Sequence, residues 1–168
     1  MRTGAGGRVD HHFAAHLHRP LPHVDQPVVG ISDDDCKFYC AWYGKVTHLA
    51  NQGVVDVPTQ EEFELASRGR DERLYPWGVY TSKEGNEVDP NYCNCSQGRF
   101  LGLCRKGDFS YDTAPSGARL MAGGAATWTA TIIVLKKGAA EVTVAVVQGG
   151  AWDQSLRQSE LPFRQSRN

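Results

Sequence analysis

The sequence lacks any apolar run near the length that a membrane-spanning helix requires. Its opening residues, MRTGAGGRVDHHFAAHLHRP, also lack the apolar core of a secretory signal. Basic residues dominate no segment, and the formal net charge of −1 gives no electrostatic reason to expect a nucleic-acid partner. We therefore expect a cytoplasmic chain with no nucleic-acid partner and no membrane partner.

Cysteine is too scarce for a disulfide-stapled scaffold, and its count of five is odd. Free thiols, some of them buried, are the simplest interpretation. A zinc site from Cys93, Cys95, Cys104 and a histidine is the alternative, but the spacing C-x-C-x8-C lacks the paired C-x2-C knuckles typical of such sites. We therefore predict neither a bound metal nor a cofactor.

The composition is that of a globular chain, with 40% hydrophobic and 22% charged residues, and 168 residues suit one domain. Residues 1–24 are rich in Gly, His and Arg and contain Pro20 and Pro22, so we predict a flexible arm there and a folded domain over 25–168. His12 and His16 have the spacing of metal ligands on a helix, but a solvated histidine cluster explains them more simply.

The segment SDDDCKFYCAWYG predicts a first helix. Ser32 is a suitable N-cap, and the three aspartates that follow favour the positive end of the helix dipole, which explains them without a metal site. Apolar residues from Cys36 to Tyr43 form one face, and we expect Gly44 to end the helix.

The segment PTQEEFELASRG predicts a second helix, with a capping box from Thr59 and Glu62 and an inward face that includes Phe63 and Ala66. We expect Gly69 to end it. Residues 79–119 are rich in Gly and Pro and predict a long, organised loop. Strands are predicted over 131–135 and 142–147, joined by the turn KKGAAE.

Five segments occur in an order that resembles one family: PVVGISDDDCKFYCAWYG, VPTQEEFELASRG, YPWG, LMAGGAATWTAT and QGGAWD…FR. From about Gln26 to Asn168, the chain is similar to the formylglycine-generating enzyme, or sulfatase-modifying factor, domain family. The resemblance implies an α+β, C-type-lectin-like fold with two short helices, small antiparallel sheets and much ordered loop. Family members usually continue at both ends, which implies either a reduced domain or a clipped reading frame.

Aligned on the family's motifs, the chain differs from the family's enzymes at positions that carry their chemistry. Its enzymes are copper-dependent oxidases that use two cysteines after the Gly-Gly-aromatic motif, where Gln154 and Ser159 stand in this chain, and no cysteine follows Cys104. Thiolates suit a soft metal, whereas an amide and a hydroxyl do not.

The stretch LMAGGAATWTAT matches a family loop that helps to hold calcium in enzyme members. Gly124 stands at the usual Asn, Ala126 at the usual Trp and Thr127 at the usual Glu. Calcium needs oxygen ligands, preferably carboxylates, which Gly and Ala side chains do not supply. The resemblance therefore implies that this calcium site is lost and that no catalytic residue remains.

These departures favour a noncatalytic module that binds a protein or small-molecule ligand, such as the retroelement-diversified variable proteins that share the domain. Its contact surface would combine the 79–119 loop with residues of the segment after the second glycine pair: Trp152, Asp153, Gln154, Leu156, Arg157, Gln158, Ser159, Glu160 and Arg164. Trp152 and Arg164 match framework positions, so internal packing is a competing interpretation for both.

Three alternative functions stay open at this point. The first is a sulfatase-maturation oxidase, and the second is an inactive paralogue that binds sulfatases. The third is an enzyme of another class that uses Cys93, Cys95 and Cys104 with His48. Self-association is an open expectation as well, because unpaired strand edges accept a second copy.

Overall fold

The order of secondary structure segregates helices from strands. The computed structural model describes residues 25–71, 73–78, 89–100, 102–138, 140–161 and 165–167, so the predicted arm 1–24 lies outside the described residues. Two helices come first, α1 Asp33–Val46 and α2 Gln60–Arg68, and the strands β1 Thr127–Lys137, β2 Ala140–Gln148 and β3 Gln165–Arg167 follow. The strands form one antiparallel sheet in the order β1-β2-β3, which confirms the α+β prediction. Of the helices in these ranges, none is long and apolar enough to cross a membrane.

Helix α1 begins as predicted and ends later than predicted. The Ser32 hydroxyl accepts the Asp35 N–H, and the Asp35 carboxylate accepts the Ser32 N–H at 2.9 Å, which completes a capping box. The prediction that Gly44 ends the helix is wrong, because Gly44 is buried inside α1, which continues to Val46. A Cβ at Gly44 would lie 3.2 Å from the Val55 Cβ, so this glycine allows a close approach between chain segments.

Helix α2 has the predicted bounds and fastens the sheet. Thr59 and Glu62 form the capping box, and Gly69 is the C-cap. Phe63 is buried, and Ala66 is half-buried. The Gln60 N–H donates to the Thr131 hydroxyl of β1 at 2.9 Å, which ties the first turn of the helix to the sheet.

The β1–β2 hairpin is confirmed, and both strands are longer than predicted. Lys137 pairs with Ala140, so the turn falls inside KKGAAE as expected. Strand β1 extends back to Thr127 and therefore includes the Thr127–Thr131 part of LMAGGAATWTAT. The register shifts between Trp128 and Ile132, which marks a bulge or irregularity. The Trp128 indole N–H donates to the Ile31 carbonyl oxygen at 3.1 Å and connects β1 to the segment before α1.

The core has two parts. In one, α2 contacts β1 and β2, and Phe63 of α2 and Val144 and Val146 of β2 are buried. The other lies among the loops, where Tyr75, Cys93, Cys95 and Ala122 are buried together under Leu74, Trp77 and Leu156. The described parts of the 79–119 segment are irregular apart from a short 3-10 turn, Pro90–Tyr92, which agrees with the predicted long loop. Residues 79–88 of that segment lie outside the described residues.

Candidate functional site

The C-terminal loop, residues 149–161, is tied by hydrogen bonds to two other loops. The Ser96 N–H donates to the Gln154 carbonyl oxygen at 2.9 Å, and the Leu156 N–H donates to the Gln97 side-chain oxygen at 2.6 Å. The Leu161 N–H donates to the Leu74 carbonyl oxygen at 2.8 Å. These bonds place the segment after Gly149 and Gly150 against the loop that carries Cys95. Nothing in the linear sequence indicates that these two segments are close.

The predicted contact residues differ in their exposure. Asp153 and Arg157 are exposed, and Ser159 is buried. The half-buried members of the set are Trp152, Gln154, Leu156, Gln158 and Glu160. Arg164 lies outside the described residues. The structure therefore presents two opposite charges from this loop directly to solvent.

Two members of the set take part in the loop's own structure. Gln158 lies on a short 3-10 turn, Leu156–Ser159, and its amide oxygen accepts both the backbone N–H and the hydroxyl of Ser155 at 3.1 Å. Ser159 lies under Gly150: a Cβ added at Gly150 would come within 2.6 Å of the Ser159 Oγ. The same atom has no hydrogen-bond partner among the described residues.

The stretch LMAGGAA, residues 120–126, forms a second loop that meets the first. The Gly123 N–H donates to the Gly149 carbonyl oxygen, and the Trp152 N–H donates to the Gly124 carbonyl oxygen at 3.0 Å. Gly123 also pairs with Asn94, so close that a Cβ at Gly123 would lie 2.2 Å from the Asn94 carbonyl oxygen. The two glycine pairs of the sequence thus lie side by side, and their lack of side chains allows the approach.

Asp112 stabilises the 120–126 loop through its side chain. Its carboxylate is fully buried and accepts the backbone N–H groups of Met121 at 3.1 Å and Ala122 at 3.1 Å. Burial raises the pKa of Asp112 to about 7, although the same two N–H groups act to lower it. The Asp112 carboxylate therefore accepts two backbone N–H groups of the 120–126 loop. The sequence patterns did not indicate this role for Asp112.

Three thiols lie beneath these loops. Cys93, Cys95 and Cys104 are all buried. The hydrogen bond from the Cys93 thiol lowers the pKa of Cys95 to about 6, and the backbone N–H groups of Gln97 and Gly98 lower it further against the effect of burial. The hydrogen bond to Cys95, together with burial, raises the pKa of Cys93.

The predicted alternatives that use these thiols find no further support in the described part of the chain. No group of three or more His, Cys, Asp and Glu side chains there could hold a metal ion. His48 is exposed at the start of the 3-10 turn that follows α1, whereas the thiols are buried among the loops. Within the described ranges, no hydrogen bond joins His48 to a thiol.

The residues at the family's calcium positions do not fit that ion. The Gly124 carbonyl oxygen already accepts the Trp152 N–H, and Ala126 contributes no side-chain oxygen. The Asp112 carboxylate is engaged by backbone N–H groups. One buried oxygen, Asn94 Oδ1, has no hydrogen-bond partner among the described residues, but calcium takes six to eight oxygens. The copper of the family's oxidases does not fit either, since Gln154 and Ser159 offer no thiolate.

Two short helices, a small antiparallel sheet and interlocked loops define an α+β domain of the C-type-lectin-like class. The chain matches the family model of the sulfatase-modifying factor enzyme 1-like domain over residues 8–168, and it belongs to this family.

Two curated relatives match part of the chain. The chain is 31% identical over 139 residues to the inactive C-alpha-formylglycine-generating enzyme 2 of Bos taurus, an alignment that covers 77% of this chain and 39% of that protein. It is 36% identical over 85 residues to the formylglycine-generating enzyme of Bos taurus, which covers 50% of this chain and 18% of that protein. The chain therefore spans well under half the length of the curated relatives that it matches.

A solved structure agrees on the fold. Treponema denticola variable protein 1 superposes with a TM-score of 0.51 at 18% sequence identity, over 67% of this chain and 41% of that chain. At this identity the likeness shows the fold alone.

Proposed function

We propose that this chain is a noncatalytic member of its family, in which the C-terminal loop binds a protein or small-molecule ligand. The observation that carries the proposal is the chemistry of two positions. Where the family's oxidases have a cysteine pair, this chain has Gln154 and Ser159, and the Ser159 side chain is buried against Gly150. A buried hydroxyl and an amide cannot bind a soft metal as two thiolates do.

The loop has features that suit binding. Its 3-10 turn is closed by the Gln158 side chain, and its backbone is hydrogen-bonded to the 93–98 segment, so its conformation is set before a ligand arrives. Preorganisation of this kind reduces the entropy lost on association. Arg157 and Asp153 are exposed on it, and a guanidinium and a carboxylate can each make charged hydrogen bonds with a polar partner.

Two kinds of partner follow from the relatives. The fold is shared with a variable protein, and a scaffold that presents loops on a rigid base suits a ligand-binding role. The 31% identity to a protein named as an inactive formylglycine-generating enzyme supports the noncatalytic role, and a sulfatase is the second kind of partner that we propose. A reverse transcriptase with a template repeat among the neighbouring genes would favour the first, and a sulfatase gene would favour the second.

The direct test separates binding from turnover. Purified protein is incubated with copper and a Cys-x-Pro-x-Arg peptide, and aldehyde formation is followed by mass spectrometry against a metal-free control. We expect no aldehyde. Aldehyde above the control would overturn the noncatalytic proposal and restore the oxidase alternative.

The same peptide, labelled with a fluorophore, tests the paralogue role by fluorescence anisotropy. We expect Arg157→Ala to weaken any binding about tenfold or more, because loss of a charged hydrogen bond costs roughly 1.5–3 kcal/mol. Lys136→Ala removes another exposed positive charge, from β1, and serves as the control. Equal effects from both variants would remove the C-terminal loop from the proposal.

A further inference from the structure

Four aromatic rings form a series that runs from the surface of the loop region into its core. Tyr111 stacks on Tyr92 with ring centroids 4.5 Å apart, and Tyr92 meets Trp77 in a T-shaped contact at 5.8 Å. Trp77 stacks in turn on Tyr75 at 4.8 Å. Exposure falls along the series: Tyr111 is 61% exposed, Tyr92 and Trp77 are half-buried, and Tyr75 is 4% exposed. We call these four residues the ring series.

The inner end of the ring series lies against two buried thiols. Tyr75 belongs to one buried cluster with Cys93 and Cys95, and both cysteines are 0% exposed. Burial raises the pKa of the Tyr75 phenol, and the charges of Glu160 and of both thiols raise it further. The innermost ring and the two thiols therefore share one desolvated environment.

The two thiols are placed to form a disulfide. Asn94 separates them, and its backbone pairs with Gly123 in a β-bridge, so the chain is extended there. In an extended chain, residues i and i+2 point to the same side with Cα atoms about 6.6 Å apart, inside the range of roughly 4.4–6.8 Å that a disulfide spans. The hydrogen bond from the Cys93 thiol lowers the pKa of Cys95 to about 6. Cys95 is therefore mostly a thiolate at neutral pH, the form of cysteine that is oxidised most readily.

Burial and ring contact together decide how an electron leaves this thiolate. A diffusing oxidant does not touch Cys95, because no part of it is exposed. Electron tunnelling does not require exposure, because it requires only that successive donors lie close together. Tyrosine and tryptophan rings give up an electron far more readily than phenylalanine, and every ring of the series is one of these two types. The series therefore connects a buried reductant to the surface through three ring contacts.

We propose that the ring series conducts an electron from the Cys95 thiolate to a one-electron oxidant at Tyr111, and that Cys93 and Cys95 then form a disulfide. The thiolate loses one electron through the rings and becomes a thiyl radical. Cys93 releases its proton to water, and its sulfur bonds to the radical to give a disulfide radical anion. Dioxygen accepts the remaining electron and leaves as superoxide, so two electrons and one proton are lost for each disulfide formed. The proposal does not depend on what the C-terminal loop binds.

Flash photolysis of the full, reduced protein in aerated buffer tests the proposal, with a tris(bipyridine)ruthenium(II) complex and a cobalt(III) quencher. The ruthenium(III) complex that forms is a one-electron oxidant too large to enter the core. We expect a disulfide between Cys93 and Cys95, identified by mass spectrometry after the remaining thiols are blocked. Tyr92→Phe and Trp77→Phe should each lower its yield severalfold, because phenylalanine keeps a ring in place but does not pass the electron. The proposal fails if the parent protein forms no such disulfide, or if both variants match its yield.

Two controls separate electron conduction from a change in packing. Tyr39→Phe alters a tyrosine that is 59% exposed and also stacks on a tyrosine, but that lies on α1, so the disulfide yield should stay at the parent's value. Hydrogen peroxide reaches the buried thiols only by local opening, which needs no ring series, so its oxidation rate should be the same in the parent and in Tyr92→Phe. An equal loss of yield in Tyr39→Phe, or a matching change in the peroxide rate, would show that the rings do not act as a conduit.

Discussion

Gly123→Ala tests whether the close contact between the two glycine-paired loops stabilises the domain. Gly123 has a φ of +74°, a conformation that residues with a Cβ rarely adopt. Its would-be Cβ lies 2.2 Å from the Asn94 carbonyl oxygen and 2.9 Å from the Asn94 carbonyl carbon. Because both are backbone atoms, relief requires the loops to separate rather than a side chain to rotate.

The expected cost combines a conformational penalty and lost hydrogen bonds. The left-handed conformation costs roughly 1–2 kcal/mol for alanine. Separation breaks the bond from the Gly124 N–H to the Asn94 carbonyl oxygen, 2.8 Å long, and strains that from Gly123 to Gly149. At about 1–3 kcal/mol for each buried group left unpaired, the total is about 4 kcal/mol, a large part of a typical domain's 5–15 kcal/mol.

Urea unfolding followed by tryptophan fluorescence measures this cost, with two glycines as controls. Gly117→Ala shares a positive φ but has open space around its Cβ, so it should lose only about 1–2 kcal/mol. Gly53→Ala has open space and no positive φ, and it should be close to neutral. If Gly123→Ala costs no more than Gly117→Ala, the contact with Asn94 does not contribute to stability and the steric reasoning fails.

Three further predictions concern the Asp112 carboxylate, the N-cap of α2 and calcium binding. Burial raises the pKa of Asp112 to about 7 from 3.8, so its contribution to stability is fully present below about pH 4 and is lost as pH rises through 7. Asp112→Asn should flatten that decline, on the order of a few kcal/mol between about pH 4 and pH 7 in urea titrations, and an unchanged slope would show that another group causes it. Thr59→Ala removes the hydroxyl that caps α2 and should cost about 1 kcal/mol, whereas Thr59→Ser should restore most of it. Thermal melts with calcium and with chelator should coincide, and a calcium-dependent rise in midpoint would refute the loss of that site.

Local features of the chain were predictable because their causes are local. A capping residue, a reciprocal acid three residues on and a glycine stop place α2 without knowledge of its surroundings. The β1–β2 hairpin follows in the same way from two β-branched runs around KKGAAE. The family, and with it the fold class, followed from the order of five short motifs.

Errors arose where a residue's role depends on distant neighbours. Gly44 resembles a helix stop in sequence, but it lies inside α1 because Val55 approaches it there. The apolar face of α1 was predicted from periodicity alone, which identifies a stripe but not whether anything covers it. The strand at Trp128 was missed because small residues carry little strand preference, and pairing with β2 overrides that weakness.

The sequence by itself determined both helices, the β1–β2 hairpin, the family and the loss of the cysteine pair, since each rests on residue identity and short spacing. Only the tertiary structure decided how the loop of residues 120–126 is held. Asp112 lies nine and ten positions from the N–H groups that its carboxylate accepts. Asn94, which precedes Gly123 in the sequence, and Gly149, which follows it, both approach Gly123. Contacts across such separations arise from packing of the whole domain, so no local pattern in LMAGGAATWTAT could have indicated them.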